Sequence, residues 1–335
     1  MTVSRVKYIF QNEYSMNNLL LNMLPLLLLI AFGFILRRIR YFSDGEIQKI
    51  TGFVGDFLVP CVIFNTILKL DIQREHIALS AAFFCFLCLL LVLSWFIYRI
   101  FHIQRRFFIF FSCAFAFGLM GIPLFSTLFG EENMEYLVAL GVGHELFIAL
   151  IYITGMKIVL KGDDFSKRTV LQNLSSPLFY MVFAALILNL TGLRTAVETN
   201  VLGGSMLAAI SKIASITTVL TMIVVGYRIR FQDKKRIRES MAYVLFRYLF
   251  SFGLGYLFKF LVLDRLVQPS RYFDYAFFTM LAQFGSTLLI MLVGEYCSQE
   301  ELEVSSNAFV INVVVGIVLY VVFALLVGAQ TVPGI

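Results

Sequence analysis

His144 and Glu145, in the run GVGHELF, set an imidazole beside a carboxylate in an apolar stretch with no further charge between Glu135 and Lys157. Such a pair can relay a proton or meet a coupling ion. Successive helical residues point about 100° apart, so the two do not face one cavity equally, and hydrogen-bonded packing is the competing reading. Asp56 and Lys212 are charges deep in two other apolar runs. A charge at a helix centre in a bilayer costs roughly 2.5–3.5 kcal/mol, which makes each a functional candidate. Their depths, about 15 and 21 Å from one membrane face at about 1.5 Å per residue, predict an Asp56–Lys212 pair or a water-bridged link. Otherwise each faces its own hydrated cavity. Asn307 and Asn312 either face the same region or bond between helices. Arg247, a turn and a half inside its run, is expected to snorkel to the surface. Glu131, Glu132 and Glu135 read as a solvated face, and the Cys85–Cys88 spacing reads as packing. No metal or cofactor is expected.

The elements that must position these residues span a bilayer. The 335 residues are 60% hydrophobic and 14% charged, with 36 phenylalanines, which excludes a soluble domain. About 20 apolar residues cross a bilayer core about 30 Å thick. Apolar runs at 19–38, 46–68, 76–99, 106–129, 134–158, 169–192, 201–226, 240–263, 273–293 and 305–328 predict ten such helices. Basic residues lie in short clusters between the runs, so the net charge of +6 is no sign of nucleic-acid binding. Seventeen Lys and Arg fall in the odd-numbered connections against six in the even ones. The positive-inside rule then makes the odd connections cytoplasmic and puts both termini of this cell-membrane protein outside. The basic run YRIRFQDKKRIR reads as a cytoplasmic loop touching anionic lipid.

Residues 1–15 read as an extension, followed by two five-helix repeats, 16–165 and 166–335. Five is odd, so the second repeat must insert upside down. The endings STLFGEENMEYL and IMLVGEYCSQEELE, five spans apart, hint at it. Inverted repeats with interrupted helices near the midplane are a transporter architecture. The fourth span carries Gly118, Gly121 and Pro123 in AFAFGLMGIPLF. Freed backbone groups at that depth are tolerated only in protein or at a watered cavity. The run predicts either a discontinuous helix offering N–H groups to an anion or a proline-kinked, packed one.

NMLPLLLLIAFGFILRR, ITGFVGDFLVPCVIFNTIL and GLMGIPLFSTLFG resemble, in order and spacing, the opening half of the auxin efflux carrier (AEC) family; LVGEYC is similar to an ending in its second half. The resemblance runs from Met16 through most of the chain. It implies an all-α protein of ten transmembrane helices in two inverted five-helix repeats. Spans one, two, six and seven are similar to the family's scaffold, the other six to its transport unit. It further implies that the fourth and ninth helices break and cross, with substrate beside the crossing. The implied activity is that of a permease for small organic anions, mono- or dicarboxylates. The family pattern has Asn preceded by Pro where this chain has Ala116 and Phe115, and a proline where it has Phe284. The crossing is therefore expected to rest on Gly118 and Gly285. The implied substrate contacts are Ala116, Phe117, Gly118, Gly121, Pro123, Gln283, Phe284, Gly285, Ser286 and Thr287, with Asp56, His144, Glu145, Lys212, Asn307 and Asn312 as coupling or polar support. Its partners are the bilayer, an organic anion, a coupling proton or sodium ion and a second copy in a homodimer.

Two alternatives compete. A membrane enzyme needs a nucleophile or metal cluster, yet His76, His102 and His144 are far apart and no catalytic spacing occurs. A sensor that kept the carrier fold would explain the missing Asn and prolines. No phosphate-binding loop of the ATPase type is present, so transport is expected to draw on a gradient or to run as facilitated diffusion.

Overall fold

The computed structural model describes residues 24–25, 28–69, 74–130, 133–162, 177–228 and 234–330. The extension 1–15 and the basic side chains of Lys167 and Arg168 lie outside that set. No strand occurs among the described residues. The helices are α1 (28–38), α2 (44–69), α3 (Arg74–Ile100), α4 (Phe108–Phe111), α5 (117–129), α6 (Glu135–Lys161), α7 (Pro177–Leu190), α8 (Leu193–Thr199), α9 (Val201–Arg228), α10 (Lys234–Leu261), α11 (Arg271–Ala282), α12 (Thr287–Tyr296) and α13 (Gln299–Gln330). Turns of π-helix widen α2 at Val54–Leu58, α5 at Phe117–Gly121 and α6 at Ile148–Tyr152 and Lys157–Lys161. Such turns concentrate at functional sites.

Local sequence explains the helix starts. Ser43 opens α2 with a capping box: its hydroxyl accepts from the Glu46 N–H at 3.3 Å, and the Glu46 carboxylate accepts from the Ser43 N–H at 2.7 Å. Ser298 caps α13, accepting from the Glu301 N–H at 3.2 Å. Between α1 and α9 the packing rests on glycine. A Cβ on Gly33 would fall on the Ile223 carbonyl, and one on Gly226 on the Ile30 carbonyl, so the two backbones touch. Outward-facing Val201, Leu202, Met206, Leu249 and Phe260 are exposed, which suits lipid as solvent.

Among the described residues six helices are long and apolar enough to cross a membrane, or seven if α7 and α8, bent by 99°, count as one span. Three of the ten runs expected from sequence are not among them. The fourth and ninth runs are each divided into pieces too short to cross alone, and part of the first lies outside the described residues.

Polar contacts sort the connections into two groups. On one face Arg105 bonds Glu239 at 2.9 Å and Glu300 at 2.6 Å, Arg106 donates to the Leu160 carbonyl at 3.3 Å, Arg236 pairs with Glu303, and Tyr227 bonds the Phe42 carbonyl. These join the connections after α1, α3, α6, α9 and α12. The carboxylates, Glu239 first, raise the Arg105 pKa further. On the other face Arg194 and Asn189 donate to the Leu68 and Ile67 carbonyls at 2.9 and 2.8 Å, His76 meets Glu135 at 3.8 Å, and Lys259 bridges Asp264 and Asp274. The odd and even connections of the sequence reading therefore do not mix among these contacts.

Candidate functional site

The core of the molecule is a crossing of two broken helices. The chain leaves helix at Ser112 and resumes at Phe117; it leaves again after Ala282 and resumes at Thr287. The two non-helical stretches lie side by side, and the Ala116 N–H donates to the Phe284 carbonyl at 2.9 Å. Every buried backbone group released here needs a partner. Three neighbouring helices supply them.

From α10, Arg247 is 0% exposed and its guanidinium gathers the carbonyls of both breaks: Phe111 through Nη1, and Ala114 at 2.9 Å and Gln283 at 3.3 Å through Nη2. The rings of Phe111 and Phe115 flank it, with centroids 5.6 and 5.0 Å from its Cζ. One turn on, Ser251 donates to the Ser112 carbonyl at 3.3 Å. From α13, the Asn312 amide takes the orientation its neighbours dictate. Its oxygen accepts from Arg247 Nε at 3.2 Å and the Gly285 N–H at 2.9 Å, and its nitrogen donates to the Tyr248 hydroxyl at 2.8 Å. From α6, His144 Nε2 accepts from the Phe115 N–H at 3.0 Å. That bond leaves the ring proton on Nδ1, which faces Glu145 Oε1 at 3.1 Å.

A cavity of about 120 Å³ opens beside the crossing. Phe115, Ala116, Phe117, Gly118 and Ser286 form one wall, α6 adds His144 and Glu145, and α2 and α9 close it with Thr51, Asp56, Thr217 and Thr221. The Thr217 and Thr221 hydroxyls are buried without a hydrogen-bond partner. No Lys or Arg lines the cavity among the described residues. Lys157 is the cation whose field reaches Asp56.

Of the residues singled out from sequence, Ala116, Phe117, Gly118, Ser286, Asp56, His144 and Glu145 line this cavity. Phe284, Gly285, Gln283 and Asn312 belong to the crossing itself, while Gly121 lies against the Gln283 carboxamide, which a Cβ there would strike. Thr287 is the first residue of α12. Asn307 is buried off the cavity, its amide nitrogen without a partner. Pro123 does not make the break. It lies downstream in α5, two residues past the end of the π turn Phe117–Gly121. Asp56 and Lys212 do not pair: Lys212 is exposed and about 140° around α9 from Thr217, five residues away at about 100° each.

Arg247 is the largest correction. It does not snorkel: it is buried, with its guanidinium held by the carbonyls of Phe111, Ala114 and Gln283. No signal in the sequence marks those long-range partners. Thr217 and Thr221 carried none, since lone hydroxyls in an apolar run are common packing residues.

Interrupted helices that cross beside a cavity in a helical membrane protein are an arrangement found in membrane transporters. A family model described as membrane transport protein matches residues 19–263, and the chain belongs to that family, the auxin efflux carriers. It is a family of transporters, not of enzymes. No curated protein matches the chain.

Proposed function

We propose that the protein is a permease that moves small organic anions, mono- or dicarboxylates, by alternating access. The observation that carries this reading is the Ala116–Phe284 bond between two helix breaks at the edge of a cavity. The cavity's position supports it further. One wall is the crossing with α6, the other is α2 with α9, so sliding one group past the other would expose the cavity to either face in turn. This reading includes ten helices in two inverted repeats, 16–165 and 166–335. Spans one, two, six and seven are its scaffold, both termini lie outside, a proton or sodium ion is coupled, and two copies form a homodimer. The segregated ion pairs on the two faces support the ten crossings.

Uptake of a panel of labelled mono- and dicarboxylates by proteoliposomes tests the proposal. Saturable uptake of at least one acid supports it. Binding without flux would replace it by the sensor reading, which the missing crossover Asn and prolines favour.

A further inference from the structure

We propose that a proton taken up on His144 Nε2 turns the first break into a carboxylate-binding site, so that solute and proton cross together. This rests on the reading that the cargo is an organic anion. Asp56 and Glu145 line the cavity, and no Lys or Arg does among the described residues. Among those lining residues His144 is the one whose side chain becomes a cation by taking up a proton.

The geometry says what that charge would do. In the neutral ring the Nε2 lone pair is taken by the Phe115 N–H, and the Nδ1 proton faces Glu145. A proton arriving from the cavity water bonds to that lone pair. The ring then carries N–H on both sides, the Phe115 N–H loses its acceptor, and two donors confront each other at the cavity wall. A carboxylate oxygen drawn between them accepts from both and removes the clash. Glu145 stays on Nδ1–H and stabilises the imidazolium. Loss of the proton at the opposite face restores the Phe115–His144 bond and expels the anion.

The charged groups nearest His144 are Glu145 beside it, Asp56 lining the same cavity, and Arg247 behind the Phe115 ring. The acidic groups of the packed helices are distant. Glu75 and His76 of α3 lie at the level of Glu135, nine residues or about 13 Å from His144, and Asp274 of α11 is held by Lys259. Binding is reciprocal: the factor by which the proton strengthens anion binding is the factor by which the anion strengthens proton binding.

Fumarate is a suitable probe because both of its carboxylates stay ionised across neutral pH, so any proton taken up belongs to the protein. Calorimetry of the purified full chain in buffers of differing ionisation enthalpy counts that proton. The expected result is about one proton taken up per fumarate in the neutral range, with affinity rising by up to about tenfold per unit fall in pH. In His144→Gln, where the amide offers the Phe115 N–H an acceptor but cannot titrate, the ratio of affinities at acid and neutral pH should fall to about one. Fumarate binding by the wild type without proton uptake would overturn the proposal, as would a His144→Gln ratio equal to that of the wild type. If the variant does not fold, the wild-type proton count decides alone. Failure of the underlying reading looks different: no carboxylate of the panel binds at any pH, or an organic amine binds instead, and both ideas fall.

Discussion

The two breaks solve one problem by opposite means. The second, 283–286, carries its own start signal: Ser286 caps α12 by accepting from the Leu288 N–H at 3.2 Å, and the Gly285 N–H goes to Asn312. The first, 112–116, has no capping residue at its restart, Ala116. Its groups depend on Arg247 and His144, from helices 133 and 29 residues distant in sequence. Both breaks share Arg247, but only the first also rests on an imidazole, and that bond changes when the imidazole does. The first break is therefore the one suited to respond to cargo.

Substitutions should rank accordingly. Arg247→Met would strip both breaks at once, leaving the carbonyls of Phe111, Ala114 and Gln283 unpaired; we expect a loss of roughly 3 kcal/mol or more, read as a fall in Tm in detergent. Arg247→Lys should recover only part of it, since an ammonium cannot fork. If Arg247→Met melts like the wild type, the shared brace is wrong. His144→Ala strands the Phe115 N–H and takes the Nδ1 partner from Glu145, and should cost about 1–3 kcal/mol. Ser286→Ala should cost about 1 kcal/mol and leave the first break intact. Equal Tm losses from those last two would erase the contrast between the breaks. The smallest effect concerns Cys297, which closes α12. Burial first, then Glu301, pushes its thiol pKa up to about 11. Maleimide labelling should be slow at neutral pH and climb about tenfold per pH unit, and fast neutral labelling would mean that α12 ends elsewhere.

Much of this was legible in the residues because lipid imposes simple rules. Apolar run lengths located the helices, and the basic clusters sorted the connections into the groups that the ion pairs later joined. Gly-Ser-Thr at 285–287 reads as a helix start, so the second break was within reach. The first was expected at Gly118 and lies just upstream of it, at 112–116, because glycines are visible in sequence and a long-range acceptor is not. Asp56 and Lys212 were matched by depth alone, and depth says nothing about which face of a helix a residue occupies. Arg247 was misread because its partners, the carbonyls of Phe111, Ala114 and Gln283, come from distant parts of the sequence.

The central claim is that a hydrated, solute-holding cavity borders the crossing, and Gly118 tests it most directly. A Cβ there meets only Val62 at 3.5 Å, an ordinary contact, so Gly118→Cys should be accommodated. In a chain whose five native cysteines are replaced, labelling of Cys at 118 by a membrane-impermeant methanethiosulfonate would be measured with and without saturating carboxylate. The account predicts labelling that the solute slows. No labelling from either side of the membrane would contradict it.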